Sequence, residues 1–289
     1  MSEALQSLLD LLDLERIEED IFRGRSQSSV VPRVFGGQVA AQALVAAGRT
    51  VPEDRPAHSL HAYFLRPGDP GAPIVYSVDR IRDGRSFTTR RVVAVQHGKP
   101  IFHLSASFQT YEEGLDHQEP MPDAPDPATL PTGEERLRGY PHLPAETVER
   151  FLESRAAVDL RHVDDPPYGD FGRPREPHSQ VWFRTNGKLA DDPLLHVVLA
   201  TYVSDMTLLD SVLLAHGRGG WAVGDVVGAS LDHAMWFHRP FRADEWLLYD
   251  QHSPSASGGR GLGQARIYTQ DGRLAISVIQ EGVVRVPRA

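Results

Sequence analysis

The sequence predicts an α+β protein built from two copies of one unit, each an antiparallel sheet wrapped around a buried helix. Its 289 residues suit one large domain or two of ordinary size. The 22 prolines and 25 glycines indicate many turns rather than a helical bundle. Both halves also run through the same order of elements, namely a strand, an apolar helix and four strands.

The internal duplication can be read from the residues. "HAYFLRP" at 61–67 matches "HAMWFHRP" at 233–240, and "QHGKPIFHLSASFQ" at 96–109 matches "QDGRLAISVIQEGV" at 270–283. The offsets are 240 − 67 = 173 and 270 − 96 = 174. Two matches in the same order predict a repeat of about 110 residues.

The repeats set the predicted domain boundaries. Residues 1–113 form the first repeat and 176–289 the second, which carries the predicted site. Between them, 114–175 is a Pro-rich linker and connecting segment, since its start is rich in proline and acid and has little periodicity.

In the first half, an apolar stripe predicts a helix over residues 3–13, and "ERIEEDIFRG" alternates as a strand. "FGGQVAAQALVAAGRTV" predicts a closely packed, Ala-rich helix. Four β-like runs separated by turn signals follow it, at 58–66, 73–82, 86–97 and 100–111.

In the second half, residues 178–186 predict a strand. Asp192-Pro193 then predicts the start of one long helix that ends at Gly217. That helix is apolar nearly all round, so we expect it to be buried. Four further β runs follow, at 226–238, 244–252, 260–269 and 273–285.

Composition excludes several classes of protein. A net charge of −9 argues against general nucleic-acid binding. The lack of cysteine excludes disulfides, thiolate nucleophiles and cysteine-based metal centres. No apolar run reaches the roughly 18–20 residues that span a bilayer, and the acidic N-terminus does not resemble a secretory signal. We therefore expect a soluble cytoplasmic protein.

The stretch "SLDHAMWFHRP" at 230–240 is rich in groups that bind metals or transfer protons. Strand alternation places His233 and His238 on opposite faces, about 16 Å apart at ~3.3 Å per residue, so they cannot share one metal ion. Asp232 and His233 are likewise expected on opposite faces and form no obvious dyad. No HExxH, GxSxG or phosphate-loop pattern occurs in the sequence. We expect neither a metal nor a cofactor.

Two polar residues interrupt apolar patterns. Asp205 lies within the predicted long helix, where a buried carboxylate is costly unless it accepts hydrogen bonds or is protonated. A solvent-filled seam, or hydrogen bonds from Ser204 or Thr201, would also account for it. Gln280 projects from the apolar face of the last strand, whereas the first repeat has Ala106 at the aligned place. This asymmetry predicts one working site per chain.

Taken together, six motifs resemble the type II acyl-CoA thioesterases, the TesB-like family with a double hot-dog fold. They are "FGGQVAAQAL", "HSLHAYFLRPGDP", "RDGRSFTTRRVVAVQHGKPIFHLSASFQ", "YVSD", "SLDHAMWFHRPFRADEWLLY" and "YTQDG" with "VIQEGVVR". They span both repeats and leave the connecting segment as the weak region. The resemblance implies hydrolysis of acyl-CoA (EC 3.1.2.-) and a homodimer or homotetramer.

In that family an Asp, a Thr or Ser, and a Gln hold the hydrolytic water. The resemblance assigns these roles to Asp205 of "YVSD", Ser230 of "SLDH" and Gln280 of "VIQEG". By analogy of fold, Gly36 and Gly37 at a helix N-terminus would bind the oxyanion.

The phosphates of CoA require cations. Three arginines on predicted strands are candidates, although solvated strand residues would look the same: Arg90, Arg91 and Arg260.

Two other functions fit a similar scaffold. An enoyl-CoA hydratase would use an Asp/His pair, for which His233 or His61 is available. A non-catalytic acyl-CoA binding protein would bind the ligand without turnover.

Overall fold

The computed structural model describes residues 2–26 and 33–287, apart from the side chain of Trp221. Its helices are α1 (Glu3–Leu12), α2 (Gly36–Gly48), α3 (Gly133–Arg138), α4 (Ala145–Arg155), α5 (Pro193–Ser204) and α6 (Asp210–Leu214). Short 3₁₀ turns occupy Pro127–Thr129 and Gly220–Ala222.

The strands of the first half are β1 (Glu15–Glu18), β2 (Ile21–Gly24), β3 (Ala57–Phe64), β4 (Ile74–Asp83), β5 (Phe87–Gln96) and β6 (Lys99–Gln109). Those of the second half are β7 (Val158–His162), β8 (His178–Thr185), β9 (Val227–Ser230), β10 (Asp232–Phe237), β11 (Leu247–Ser257), β12 (Arg260–Thr269) and β13 (Leu274–Arg285).

All described strands belong to one antiparallel sheet in the order β1-β2-β4-β5-β6-β3-β10-β13-β12-β11-β8-β7, with β9 beside β13. The pairing of β3 with β10 joins the two halves at the centre, with Leu60 opposite Met235. Both of these side chains are fully buried. The predicted α+β architecture of two antiparallel units around buried helices is confirmed.

The two central helices, α2 and α5, lie antiparallel and in very close contact. A Cβ added at Gly37 would lie 2.4 Å from the backbone oxygen of Tyr202, and one at Gly48 would lie 2.6 Å from a methyl group of Leu194. Alanines fill half of the positions of α2 that are not glycine. This near approach brings the N-terminus of α2 to the C-terminal end of α5.

The predicted long helix is wrong in one respect, because it breaks at Asp205. α5 ends at Ser204 with Asp205 as its C-cap, and a turn leads to α6, which starts at Asp210. Asp210, at the start of α6, is only 7 % exposed. The pattern of apolar residues in the sequence could not reveal the break, because apolar residues continue through the turn.

The predicted single strand 226–238 is also wrong, because Leu231 separates β9 from β10. Against β13, Ser230 pairs with Gly282 but Ala234 pairs with Ile279, so the register shifts by one residue between them. Such a bulge re-aims the side chains that follow it. Ser230 and His233 therefore both reach the helices, instead of pointing to opposite faces.

The expected match between the histidines of the two repeats is also corrected. His61 is exposed and packs edge-on against Trp236, whereas His233 is 1 % exposed and faces inward. The inward residue that corresponds to His233 is Leu60, at the offset 233 − 60 = 173.

The connecting segment is more ordered than its composition predicts. Its helices α3 and α4 enclose a small apolar cluster that includes Leu137, Val148 and Tyr168. β7, in the same segment, pairs with β8 and so extends the sheet of the second half. Within the described ranges, no helix has the length and apolar character needed to cross a membrane.

Replacing Gly37 with alanine tests the helix contact. Helix propensity alone favours alanine by about 1 kcal/mol, but the added methyl group would meet a backbone atom that cannot move aside. We expect Gly37→Ala to destabilise the fold by about 1–3 kcal/mol, as overpacking does. Urea unfolding measures this change.

Gly114 provides the control, because a Cβ there would meet nothing within 4 Å. Gly114→Ala should change stability by less than about 0.5 kcal/mol. A Gly37→Ala variant as stable as this control would contradict the packing of α2 on α5.

Candidate active site

The carboxylate of Asp205 is the centre of the site. Ser230 Oγ donates to its Oδ1 at 3.0 Å, and Gln280 Nε2 donates to the same oxygen at 2.5 Å. Ser230 closes β9 and Gln280 lies in β13, so the structure brings together three residues that are 25 and 50 positions apart. Neither Ser204 nor Thr201 satisfies Asp205, since the Ser204 hydroxyl bonds to Thr201 O and to His233.

Of the two polar atoms in the Gln280 amide, only the nitrogen has a hydrogen-bond partner among the described residues. Its side chain is fully buried, and its Nε2 points to Asp205. Its Oε1 is buried and meets no hydrogen-bond donor within the described part of the chain. A buried acceptor without a partner costs free energy, so this oxygen is suited to accept a hydrogen bond from a molecule that enters the site.

The N-terminus of α2 reaches the same carboxylate. The backbone N–H of Gly37 donates to Asp205, and a Cβ at Gly36 would lie only 2.6 Å from Asp205 Oδ2. The first N–H groups of a helix lack partners within the helix and carry a partial positive charge. The predicted glycines therefore lie at the site, but the Gly37 N–H is already engaged by the carboxylate.

Opposing effects set the pKa of Asp205. Burial raises it above the ordinary value and is the dominant cause. Hydrogen bonds from Gln280, Ser230 and Gly37 act in the other direction, as does the positive charge of Arg33. The result is a carboxylate that binds a proton more readily than one in water while remaining well positioned.

Arg33 is a residue that the motifs did not single out. Its Nη2 donates to the backbone oxygen of Gly228 in β9 at 2.7 Å. This hydrogen bond connects the segment that precedes α2 with the strand that carries Ser230. The position of Arg33 just before "FGGQ" gave no signal by itself, because only the fold brings it close to Asp205.

Aromatic side chains and a glycine patch surround the site. The ring of Phe64 lies next to Gly36 and packs on Phe102, with ring centroids 5.0 Å apart. On the other side, Gly263 faces Gln280 across the strands. A Cβ at Gly263 would lie 2.9 Å from Leu208, so the glycine allows the turn after Asp205 to approach the sheet.

The histidines do not form an acid–base pair with a carboxylate at this site. His233 Nε2 bonds to Ser204 Oγ at 2.8 Å, and burial lowers its pKa to about 4. His238 lies on the outward face and contacts Ser277. Over the residues that the structure describes, no group of three His, Asp or Glu side chains converges as a metal site would require.

The three candidate arginines lie in different environments. Arg90 is 1 % exposed, and its guanidinium bonds to Asp83 at 2.6 Å and to Thr50 at 2.9 Å. Its donors are thus committed, and it is not available to a CoA phosphate. Arg91 pairs with Asp79, and Arg260 with Glu281, both on the outward face of the sheet.

Arg90 also lines a cavity of about 520 Å³. This cavity lies at the C-terminal end of α2, about 18 Å along the helix from Gly36 at 1.5 Å per residue. It is therefore separate from the carboxylate site.

Comparisons with known proteins identify the family of the chain. Residues 25–109 match the family described as acyl-CoA thioesterase N-terminal domain, and residues 152–283 match the family described as acyl-CoA thioesterase. Acyl-CoA thioesterase 2 of Haemophilus influenzae is 42 % identical over 99 % of both chains. Human acyl-coenzyme A thioesterase 8 is 43 % identical over 96 % of this chain and 88 % of its own.

Solved structures show the same likeness. An acyl-CoA thioesterase II from Mycobacterium marinum superposes with a TM-score of 0.79 at 46 % identity, covering 97 % of this chain and 98 % of its own. A hot-dog protein of Alicyclobacillus acidocaldarius, at 22 % identity, shares the fold with a TM-score of 0.78 over 98 % of this chain and 99 % of its own. The chain belongs to the acyl-CoA thioesterase family and has its double hot-dog fold.

Proposed function

We propose that this protein hydrolyses acyl-CoA thioesters with a water molecule held by Asp205, Ser230 and Gln280. The observation that carries the proposal is the shared acceptor, Asp205 Oδ1, to which both Ser230 and Gln280 donate. These two bonds orient the carboxylate and leave Oδ2 beside Gly36 to take a proton. The unpartnered Oε1 of Gln280 supplies a second acceptor for the same water.

The reaction then follows from the roles of these groups. Asp205 takes one proton from the water while the oxygen of that water attacks the thioester carbonyl carbon. The tetrahedral intermediate collapses, the C–S bond breaks, and the CoA sulfur leaves with the bonding electron pair. The proton held by Asp205 passes to that sulfur, so one water and one thioester give a carboxylic acid and CoA. A thiol with an ordinary pKa of about 8.5 needs no strong general acid to leave.

The oxyanion site remains part of this proposal. Gly36 is the first residue of α2, so its N–H has no acceptor within the helix. We assign the developing negative charge to this N–H, because Gly37 already donates to Asp205. The absence of a side chain at Gly36 leaves room for the carbonyl group close to the carboxylate.

For the CoA phosphates, Arg91 and Arg260 remain the proposed contacts. Both are exposed, and each is paired with one surface carboxylate that a phosphate would have to displace. Glu281, the partner of Arg260, directly follows Gln280 in β13. Because successive side chains of a strand point to opposite faces, this adjacency alone does not favour Arg260 over Arg91.

The hydratase alternative finds less support. It requires a histidine close to the catalytic carboxylate, but Nε2 of His233 is engaged by Ser204 and His61 faces outward. A non-catalytic binding protein would not need an oriented carboxylate with a raised pKa. Release of free thiol from acyl-CoA distinguishes both alternatives from hydrolysis.

Substitution of Asp205 tests the mechanism. Asp205→Asn keeps the shape but loses the base, so we expect thiol release from acyl-CoA to fall at least about 100-fold. Asp210→Asn is the matched control, because Asp210 is also a buried acid, with a pKa raised by burial to about 7, but it does not touch the site. Hydrolysis by Asp205→Asn at the wild-type rate would refute the mechanism.

The raised pKa of Asp205 also predicts a pH-dependent stability difference. The folded state holds this proton more tightly than the unfolded chain, so ionisation of Asp205 destabilises the fold as pH rises above the ordinary value of 3.8. The stability of Asp205→Asn relative to wild type should therefore increase from pH 3 to pH 7. Thermal melts of both proteins across this range measure it, and a constant difference would contradict the direction of the shift.

We also propose a homodimer or homotetramer in the cytoplasm. Exposed apolar side chains support self-association, among them Tyr63 at 54 % and Ile81 at 57 % exposure. Sedimentation equilibrium should give two or four times the chain mass of 32.0 kDa. A monomer at micromolar concentration would rule the assembly out.

A further inference from the structure

The turn that carries Asp205 is held by buried side chains from the sheet. Tyr249 in β11 donates its hydroxyl to the backbone oxygen of Ser204 at 2.9 Å. His233 in β10 lies 2.8 Å from the Ser204 hydroxyl, and Gln251 in β11 donates to Thr207 Oγ1 at 2.8 Å. All three are at most 1 % exposed. We call His233, Tyr249 and Gln251 the turn clamp.

The clamp acts on the peptide that directly precedes the carboxylate. Ser204 is the last residue of α5 and Asp205 is its C-cap, so the Ser204 carbonyl is one that the helix itself leaves without a partner. Tyr249 supplies that partner. Rotation of this peptide would swing the Asp205 side chain away from Ser230 and Gln280, and the hydrogen bond from Tyr249 opposes such a rotation.

The proton on His233 can be assigned from the contacts. The Ser204 hydroxyl donates to Thr201 O at 2.9 Å, so it accepts from His233 Nε2–H. His233 Nδ1 is buried and has no partner among the described residues. A proton on Nδ1 would therefore have no acceptor. His233 is thus a neutral donor to the turn and does not act as a base.

The first repeat contains a natural comparison. Tyr76 in β4 corresponds to Tyr249 at the offset 249 − 76 = 173, and it is also fully buried. Its hydroxyl donates to Gln42 Oε1 at 2.6 Å, and Gln42 ties α2 to Leu11 O and Arg25 O. The same tyrosine therefore supports a purely structural contact in one repeat and the turn of Asp205 in the other.

We propose that Tyr249 and His233 are positioning residues for hydrolysis, which act by fixing the Ser204–Asp205 peptide so that the carboxylate stays on Ser230 and Gln280. This inference rests on the proposed function of Asp205. Neither side chain touches the substrate in this proposal, so the loss should appear in kcat rather than in KM.

The decisive experiment compares Tyr249→Phe with Tyr76→Phe. Each removes one buried phenol oxygen and leaves one buried acceptor without its donor, so both should lower the melting temperature to a similar extent. We expect Tyr249→Phe to lower kcat at least tenfold with KM within twofold of wild type. Tyr76→Phe should keep kcat within twofold. Equal kcat values for the two variants, measured well below both melting temperatures, would overturn the proposal.

Substitutions of His233 provide a second test that does not depend on the tyrosine. His233→Gln retains an N–H donor and should keep most of the wild-type kcat. His233→Leu installs the residue that Leu60 provides at the corresponding place in the first repeat, and it should lower kcat as Tyr249→Phe does. Full kcat in His233→Leu would count against the clamp.

Asp205→Asn in the same assay distinguishes failure of the clamp from failure of the proposed catalytic role of Asp205. If Asp205→Asn is inactive while Tyr249→Phe and His233→Leu are fully active, the clamp is refuted and the catalytic carboxylate stands. If Asp205→Asn is fully active, the proposed function itself fails.

Discussion

The contact between the N-terminus of α2 and the C-terminal end of α5 is the constraint on which the rest of the site depends. Each helix belongs to a different repeat, and they meet because Gly36 and Gly37 present no side chain to Asp205 and Tyr202. The partial positive charge of the first helix thereby faces a carboxylate at the end of the second. Neither repeat builds this arrangement alone, because each supplies one of the two helix ends that meet there.

The position of Asp205 is a compromise between stability and reactivity. Burial makes the ionised carboxylate costly, while Ser230, Gln280 and Gly37 offset part of that cost. A base that is held this way is already oriented and partly stripped of water before substrate arrives. The stability lost at Asp205 is small compared with the stability that the extensive buried core of α2, α5 and the sheet contributes.

The two repeats share a scaffold but differ in its polar groups. Where the second repeat has His233 and Gln280 facing inward, the first has Leu60 and an alanine. The tyrosines on β4 and β11 are common to both, yet they bond to different acceptors. The divergence is therefore concentrated around the turn that carries Asp205.

The sequence by itself determined the duplication, the strand pattern and the three polar residues of the site. Periodicity and spacing express local backbone geometry, and the family motifs name Asp205, Ser230 and Gln280. Three features depended on tertiary structure. The break at Asp205 and the bulge at Leu231 leave no mark in an apolar pattern, because both arise from how the turn and β9 pack against β13. The burial of Arg90 arises in the same way, since adjacent arginines on one strand look equivalent until the sheet assigns one of them to the interior.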